Sequence, residues 1–260
     1  MNIEKITSRE NEKVKYARRV RDGKETASIF IEGSRLCTEA LSSRVEIETV
    51  FVTHRFTESE SFSRIGDKLD QVFTVPESLL ESIADTRSPQ GIVILAMRPA
   101  FKFAESEIGT SIFLYQINNP ANLGAVVRTA EAAGFDRILI SLGSADPYSS
   151  KALRASMGSA FRAQIFEGCV LETAIARAKG NRTEVVAVDA KGKSIYSADL
   201  AGKPRMFVFG SEAHGLPDEI LNQADSVVSI PMNSPVESLN LAVSCGIVLF
   251  EARRQNRENK

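Results

Sequence analysis

The chain has 260 residues, a formal net charge of −1 and 43% hydrophobic residues, which supports one large core or two ordinary ones and argues against a protein that coats nucleic acid along its whole length. No run of 18 or more apolar residues occurs, and the opening Met1-Asn-Ile-Glu-Lys-Ile-Thr-Ser-Arg-Glu10 is charged where an export signal is apolar, so a cytoplasmic protein with no membrane partner is expected. Cys37, Cys169 and Cys245 form no Cys-x-x-Cys pair and read as reduced packing residues; His54 and His214 are the only histidines, and no metal site is expected.

In chain order, residues 1–24 carry eight basic side chains (Lys5, Arg9, Lys13, Lys15, Arg18, Arg19, Arg21, Lys24) against four acidic ones (Glu4, Glu10, Glu12, Asp22). That surplus fits a phosphate-binding surface and equally a solvated helix face. Helices are predicted near 9–21, 34–42, 61–70 and 76–84. They alternate with β-branched and aromatic runs at Ser28–Ile31, Thr49–Val52, Val72–Val75 and Gly91–Leu95 that read as strands. The result is an α/β unit of about a hundred residues. Pro99 stops its last strand, and the mixed segment from Met97 to Glu107 is the expected linker.

A second α/β pattern starts at Ser111–Ile117 and continues through Arg137–Ile140, Glu184–Val188, Met206–Phe209 and Val227–Ile230, with helices between. Strands spaced by helices predict a mostly parallel sheet covered on both faces, with ligands at the carboxyl ends of the strands. Three segments fall at such ends. Asn122-Leu-Gly-Ala-Val-Val-Arg128 follows a strand and opens a helix, and Gly210-Ser-Glu-Ala-His-Gly215 follows another strand directly. Ile230-Pro-Met-Asn-Ser-Pro-Val-Glu-Ser-Leu-Asn240 leads from the last strand into an apolar helix of about Leu239–Arg253. A second basic stretch, free of acidic residues, runs from Lys151 through Arg154 to Arg162.

Each segment has a structural reading beside its chemical one. Glycines after a strand let a ligand approach main-chain N–H and C=O groups, and they also serve a tight strand-to-helix turn. Glu212 between them is an exposed turn carboxylate or a group that orients neighbouring loops. Asn122 is a helix cap or a two-way hydrogen-bonding group, and Arg128 is a partner for Glu131 or a planar fork suited to phosphate. Ser238 is an N-cap or a polar group at a site.

Taken together and in this order, the three segments resemble the signature motifs of the SpoU/TrmH family of knotted RNA methyltransferases. The resemblance covers residues 108–260 and, more loosely, the first hundred. There Ile6-Thr-Ser-Arg-Glu-Asn11 and Phe30-Ile-Glu-Gly-Ser-Arg-Leu36 look like a small ribosomal-protein-like domain that holds RNA. It implies an α/β fold in which an RNA-binding domain, 1–100, precedes a catalytic domain, 107–260, with a mostly parallel sheet and a trefoil knot. It implies transfer of a methyl group from S-adenosylmethionine to a ribose 2′-hydroxyl of ribosomal or transfer RNA, ribosomal RNA being preferred. The cofactor would touch main chain at Gly210, Ile230 and Leu239, and the active centre would hold Asn122, Arg128, Glu212, Ser238 and Asn240. A guanidinium with a pKa above about 12 is a poor base, so Arg128 is assigned to positioning phosphate and ribose. The same resemblance makes Arg154 and Ser156 candidates for RNA contact and puts the C-terminal helix, with Ile247–Phe250, in a homodimer. Ser234 stands where family members often carry glycine, which leaves the geometry of that loop open. A non-catalytic RNA-binding protein and a base-directed methyltransferase remain as alternatives. No Gly-x-Gly-x-x-Gly follows a strand, which argues against a dinucleotide-dependent dehydrogenase.

Overall fold

A computed structural model describes residues 2–101 and 109–258. They form two compact units: the chain up to Pro99 together with Tyr148–Arg162, and the remaining described residues.

The first unit contains β1 (Asn2–Lys5), α1 (Glu12–Arg21), β2 (Ser28–Glu32), α2 (Ser34–Leu41), β3 (Ile47–Thr53), α3 (His54–Thr57), α4 (Glu60–Ile65), β4 (Gln71–Val75), α5 (Glu77–Ile83) and β5 (Ile92–Met97). Its sheet runs β1-β4-β3-β5-β2, with β1, β4 and β3 parallel and β5 antiparallel to both its neighbours. Asn11 caps α1 by accepting the Lys13 N–H at 2.9 Å. Val14, Ala17 and Val20 then recur at three-residue spacing and bury one face of the helix against Phe30, Phe51, Phe73 and Leu95 of the strands and Leu80 of α5. β1 is not predicted from the sequence because all four of its residues are exposed at the sheet edge, which removes the apolar alternation that marks a strand.

The segment Tyr148–Arg162 lies later in the chain but packs in this unit. It carries α7 (Ser150–Ser156) and is tied down by ion pairs of Arg154 with Asp85 at 2.8 Å and Arg162 with Glu39 at 2.6 Å. Gly158, at φ +91°, passes so close under Glu39 that a Cβ there would lie 2.7 Å from the Glu39 Cβ.

The second unit contains β6 (Ser111–Leu114), α6 (Pro120–Ala133), β7 (Arg137–Ser141), β8 (Gln164–Cys169), α8 (Leu171–Gly180), β9 (Glu184–Ser194), β10 (Arg205–Phe209), α9 (Asp218–Gln223), β11 (Ser226–Ser229) and α10 (Leu241–Glu258). Its strands run β11-β9-β10-β6-β7-β8 and every pairing is parallel, as the alternation of strands and helices predicts. The central β6 and β10 are buried at every position, which is why they read as unbroken apolar runs. β8 escapes the sequence reading because only Ile165 and Phe166 form an apolar pair before the exposed Glu167 and Gly168. α10 lies along α6 and extends beyond the predicted Arg253. Its polar end is held by Gln255, which accepts from Leu200 N–H at 2.7 Å, and by Asn256, which accepts from Gly202 N–H at 3.0 Å.

Candidate active site

Strand order in the second unit reverses beside β6. From β6 the chain runs outward to β7 and β8, crosses to β9, and then inserts β10 between β9 and β6. Such a reversal opens a crevice at the carboxyl ends of the strands. The segments that leave β6 and β10 at that end lead into α6 and into Gly210–Gly215.

Gly210–Gly215 folds back on itself. Gly215 N–H donates to the Ser211 carbonyl at 2.9 Å, the same two residues form an isolated antiparallel bridge, and His214 N–H donates to Ser211 Oγ at 3.2 Å. A Cβ on Gly210 would lie 2.3 Å from both the carbonyl carbon and the oxygen of Gly215, well inside van der Waals contact. Space rather than φ therefore demands glycine at 210, and the consequence is bare main chain lining the crevice.

Two further segments wall the cleft. β9 pairs with β11 through Val186 and Ala187 and again through Lys193 and Ser194, so residues 188–192 bulge from the ladder. Gly192 re-enters against the Val228 backbone, 2.5 Å from where its Cβ would stand. The bulge brings Val188, Asp189 and Ala190 to the cleft. It is moored by Lys191, which donates to Asp218 at 2.7 Å; that bond holds the ammonium above its usual range and the carboxyl below its own. Between β11 and α10, Ile230, Glu237, Ser238 and Leu239 complete the wall. Bare main chain, apolar Ile230 and Leu239, and the carboxylates of Asp189, Glu212 and Glu237 together suit a ligand with an apolar part, hydrogen-bonding groups and a positive charge. The cleft, at about 230 Å³, is smaller than a cavity of about 530 Å³ in the first unit. Its chemistry and its place at the strand ends mark it, not its size.

Asn122 joins the three sequence segments. Its Nδ2 donates to Glu212 Oε1, and its Oδ1 accepts from Asn240 Nδ2 at 3.3 Å. The three residues come from α6, the folded-back loop and the start of α10. The cap positions differ from the structural readings of the sequence. Asn119 caps α6, accepting the Ala121 N–H at 2.9 Å ahead of Pro120. Asn240, not Ser238, caps α10, accepting the Ala242 N–H at 2.9 Å. Asn122 is thus free of capping and spends both ends of its amide on the other two segments.

Gly210, Glu212, Ile230, Ser238 and Leu239 all line the cleft. Arg128 does not. Six residues beyond Asn122, it stands about 9 Å further along α6 and roughly 120° around it. It is exposed and bonds to nothing among the described residues, Glu131 included. Such a guanidinium is available to a phosphate. Asp189 was not singled out in the sequence, although it directly follows the apolar Val185–Val188 run of β9, where strand-end ligand sites occur.

Other expectations fare differently. Ser156 is fully buried, its hydroxyl on the Leu153 carbonyl at 2.9 Å, so it is no RNA contact. Arg154 is exposed but paired with Asp85. All three cysteines are buried, which pushes the Cys169 thiol up to about 11 and raises Cys37 and Cys245 as well; none is a reactive thiolate. Among the described residues no cluster of three or more His, Cys, Asp or Glu is placed to hold a metal, and no helix is long and apolar enough to cross a membrane.

Comparison with known proteins places this geometry. Residues 109–250 match the model of the SpoU rRNA Methylase family, and residues 11–94 that of the MRM3-like substrate binding domain. The chain is similar to the 23S rRNA (guanosine(2553)-2′-O)-methyltransferase RlmP of Bacillus subtilis, 26% identical over 96% of this chain and 100% of the relative. It is similar to the mitochondrial rRNA methyltransferase 3A of Danio rerio, 28% identical over 87% of this chain and 64% of that one. The crystal structure of an AdoMet-bound rRNA methyltransferase from Sinorhizobium meliloti superposes with a TM-score of 0.84 at 30% identity, covering 97% of this chain and 98% of that one.

Proposed function

This chain belongs to the SpoU rRNA Methylase family, and from that premise we propose that it methylates a ribose 2′-hydroxyl of RNA with S-adenosylmethionine as donor, ribosomal RNA being the substrate class and transfer RNA the alternative. The observation that carries the reading is the bonded chain Glu212–Asn122–Asn240 beside the main-chain cradle at Gly210. S-adenosylmethionine supplies a methyl group already activated by the sulfonium charge, so the protein's task is mainly alignment, which is worth on the order of 7–11 kcal/mol of barrier.

Gly210, Ile230 and Leu239 hold the cofactor through main chain and apolar contact, and the carboxylates of the cleft, Asp189 half-buried and Glu212 and Glu237 exposed, complement its positive charge. Asn122, Glu212, Ser238 and Asn240 orient the acceptor hydroxyl in line with the transferring carbon. Arg128 grips a phosphate next to the acceptor ribose. Residues 1–100 hold the RNA, in keeping with the basic N-terminal stretch, and 107–260 form the knotted catalytic domain. We further propose a homodimer in the cytoplasm, built on α10. Val243 and Phe250 are two helical turns apart on one face, 50% and 47% exposed, with the half-buried Ile247 between them. An apolar stripe of this kind calls for a covering surface.

The test is transfer of labelled methyl from S-adenosylmethionine to unmodified ribosomal and transfer RNA transcripts, read by nucleoside mass spectrometry, with Arg128→Ala alongside. A 2′-O-methylated nucleoside is expected, and Arg128→Ala is expected to lower kcat by at least about 100-fold while calorimetry finds cofactor binding intact. A base-methylated product, normal turnover by the variant, or failure of the unaltered protein to bind the cofactor overturns the reading.

A further inference from the structure

The larger cavity, about 530 Å³, lies within the first unit and plays no part in the chemistry described above. It falls in the roughly 300–1,000 Å³ range of small-ligand sites. Its walls are the first turn of α2, the loop from Asp85 to Gln90 that follows α5, and Arg154 and Met157 from the α7 segment of the same unit.

The cavity is built rather than incidental. Glu32, only 7% exposed, accepts from Asp85 N–H at 2.8 Å, from Thr86 N–H at 3.2 Å and from the Thr86 hydroxyl. At the other end of that loop, Gln90 Oε1 accepts the Ser34 N–H at 2.8 Å. The loop is thereby fastened to the sheet at one end and to α2 at the other, and the wall exists before any ligand arrives.

Its charges do not balance. Glu32 is committed to the loop, Glu39 is paired with Arg162 and Asp85 with Arg154. Arg35 and Arg87 remain, both exposed on the cavity and bonded to nothing among the described residues. Leu36 and Met157 give the wall between them an apolar character. Two free guanidinium groups around an apolar recess match a nucleotide: arginine clamps phosphate in two-pronged fashion, and its flat face stacks on a base. A base inside a duplex keeps its faces stacked and cannot enter a recess, so the occupant is unpaired.

We propose that this cavity is an RNA-contact site, separate from the methylation cleft, that takes one unpaired nucleotide of the substrate with its base against Leu36 and Met157 and its phosphates on Arg35 and Arg87. It rests on the RNA reading given above and adds where, and in what form, the first unit holds the strand.

The test uses the full chain and labelled decanucleotides: oligouridylate, oligoadenylate, an RNA duplex of equal length, and decaglutamate as an anion without bases. Binding is followed by fluorescence polarisation. Single strands are expected to bind tighter than duplex or peptide. Arg35→Ala with Arg87→Ala is expected to weaken single-strand binding about tenfold or more, the scale of losing charge-assisted hydrogen bonds to phosphate. Arg35→Lys with Arg87→Lys, which keeps the charge but not the flat fork, is expected to recover only a minor part of it. Equal binding of single strand and duplex, equal binding of decaglutamate, or full recovery by the lysine pair overturns the proposal, because each means that charge alone is recognised. The same variants are assayed for methyl transfer. Loss of oligonucleotide binding by the alanine pair in a protein that never methylates RNA sinks the proposed activity and leaves this site standing. Unchanged oligonucleotide binding by the alanine pair in an active enzyme sinks this site alone.

Discussion

The Gly210 cleft and the Arg35 cavity offer the ligands proposed for them opposite kinds of surface. In the second unit the contact surface is main chain, laid bare because a folded-back loop leaves no room for a Cβ, and the polar side chains around it are short and bonded to one another. In the first unit the contact surface is two long, unbonded arginines held beside a loop that a buried carboxylate fastens. A main-chain site suits a ligand that is the same in every turnover, because its geometry is fixed by glycine and strand ends. An arginine site tolerates variation in what it grips, as a strand of changing sequence requires.

The sharpest way to break this contrast is Gly210→Ala. The added methyl meets main-chain atoms that no side-chain rotation can move, so S-adenosylmethionine binding is expected to vanish in a calorimeter and stability to fall by about 1–3 kcal/mol or more. Gly180→Ala is the control. It ends α8, nothing lies within 4 Å of its Cβ position, and its φ is unremarkable for an L-residue. That substitution is expected to leave cofactor binding unchanged and to alter stability by no more than about 1 kcal/mol, in the favourable direction. Normal cofactor binding by Gly210→Ala would remove the main-chain cradle from the argument.

The same contrast explains what could be read from the sequence. The parallel sheet was legible because strands buried on both faces are apolar throughout, and the cleft was legible because Gly210, Gly215, Asn122 and Asn240 sit at strand ends and helix starts with distinctive spacing. The roles of the asparagines were less so. Which of Asn119 and Asn122 caps α6 depends on where the first turn closes, and Pro120 decides it only once the helix start is known. Edge strands β1 and β8 were missed because every residue of β1 is exposed and the apolar pair of β8 is followed by the exposed Glu167 and Gly168, which erases the pattern. The Arg35 cavity was legible only in pieces: Glu32, Arg35 and Leu36 fall in the Phe30–Leu36 segment that resembles an RNA-holding domain, and Arg154 was a candidate RNA contact, but nothing joined them into one site. Arg35, Arg87 and Met157 are far apart in sequence, and nothing local announces that α7 packs in the first unit; that is decided by packing around Gly158 and by the pairs Arg154–Asp85 and Arg162–Glu39.

If the first unit's site is a fastened loop, Glu32 is its fastening. Glu32→Ala leaves two part-buried N–H groups and a hydroxyl without their acceptor, and about 1–3 kcal/mol of unfolding free energy is expected to be lost in a urea titration. Glu32→Gln keeps one carbonyl oxygen for the Asp85 and Thr86 N–H groups, and the Thr86 hydroxyl can turn to accept from the new amide. Its cost should be well below that of alanine. Equal costs for the two would mean that the carboxylate's charge, rather than its hydrogen bonds, holds the loop.

Asn240 offers the finest cut, because one side chain serves stability and the site through different atoms. Its Oδ1 caps α10 through the Ala242 N–H, and its Nδ2 donates to Asn122. Asn240→Ala removes both and is expected to cost about 1 kcal/mol of stability, the usual worth of an N-cap, together with methyl-transfer activity. Asn240→Asp keeps the cap, since a carboxylate oxygen accepts from the helix N-terminus at least as well as an amide. It cannot donate to Asn122, and it sets a negative charge against the Asn122 oxygen, which Glu212 already orients. Stability by thermal unfolding should therefore stay near that of the unaltered protein while kcat falls with the alanine variant. Were the aspartate variant fully active, the Glu212–Asn122–Asn240 chain would be a packing device that ties three segments together, and the alignment of the acceptor would have to come from Ser238 and Arg128.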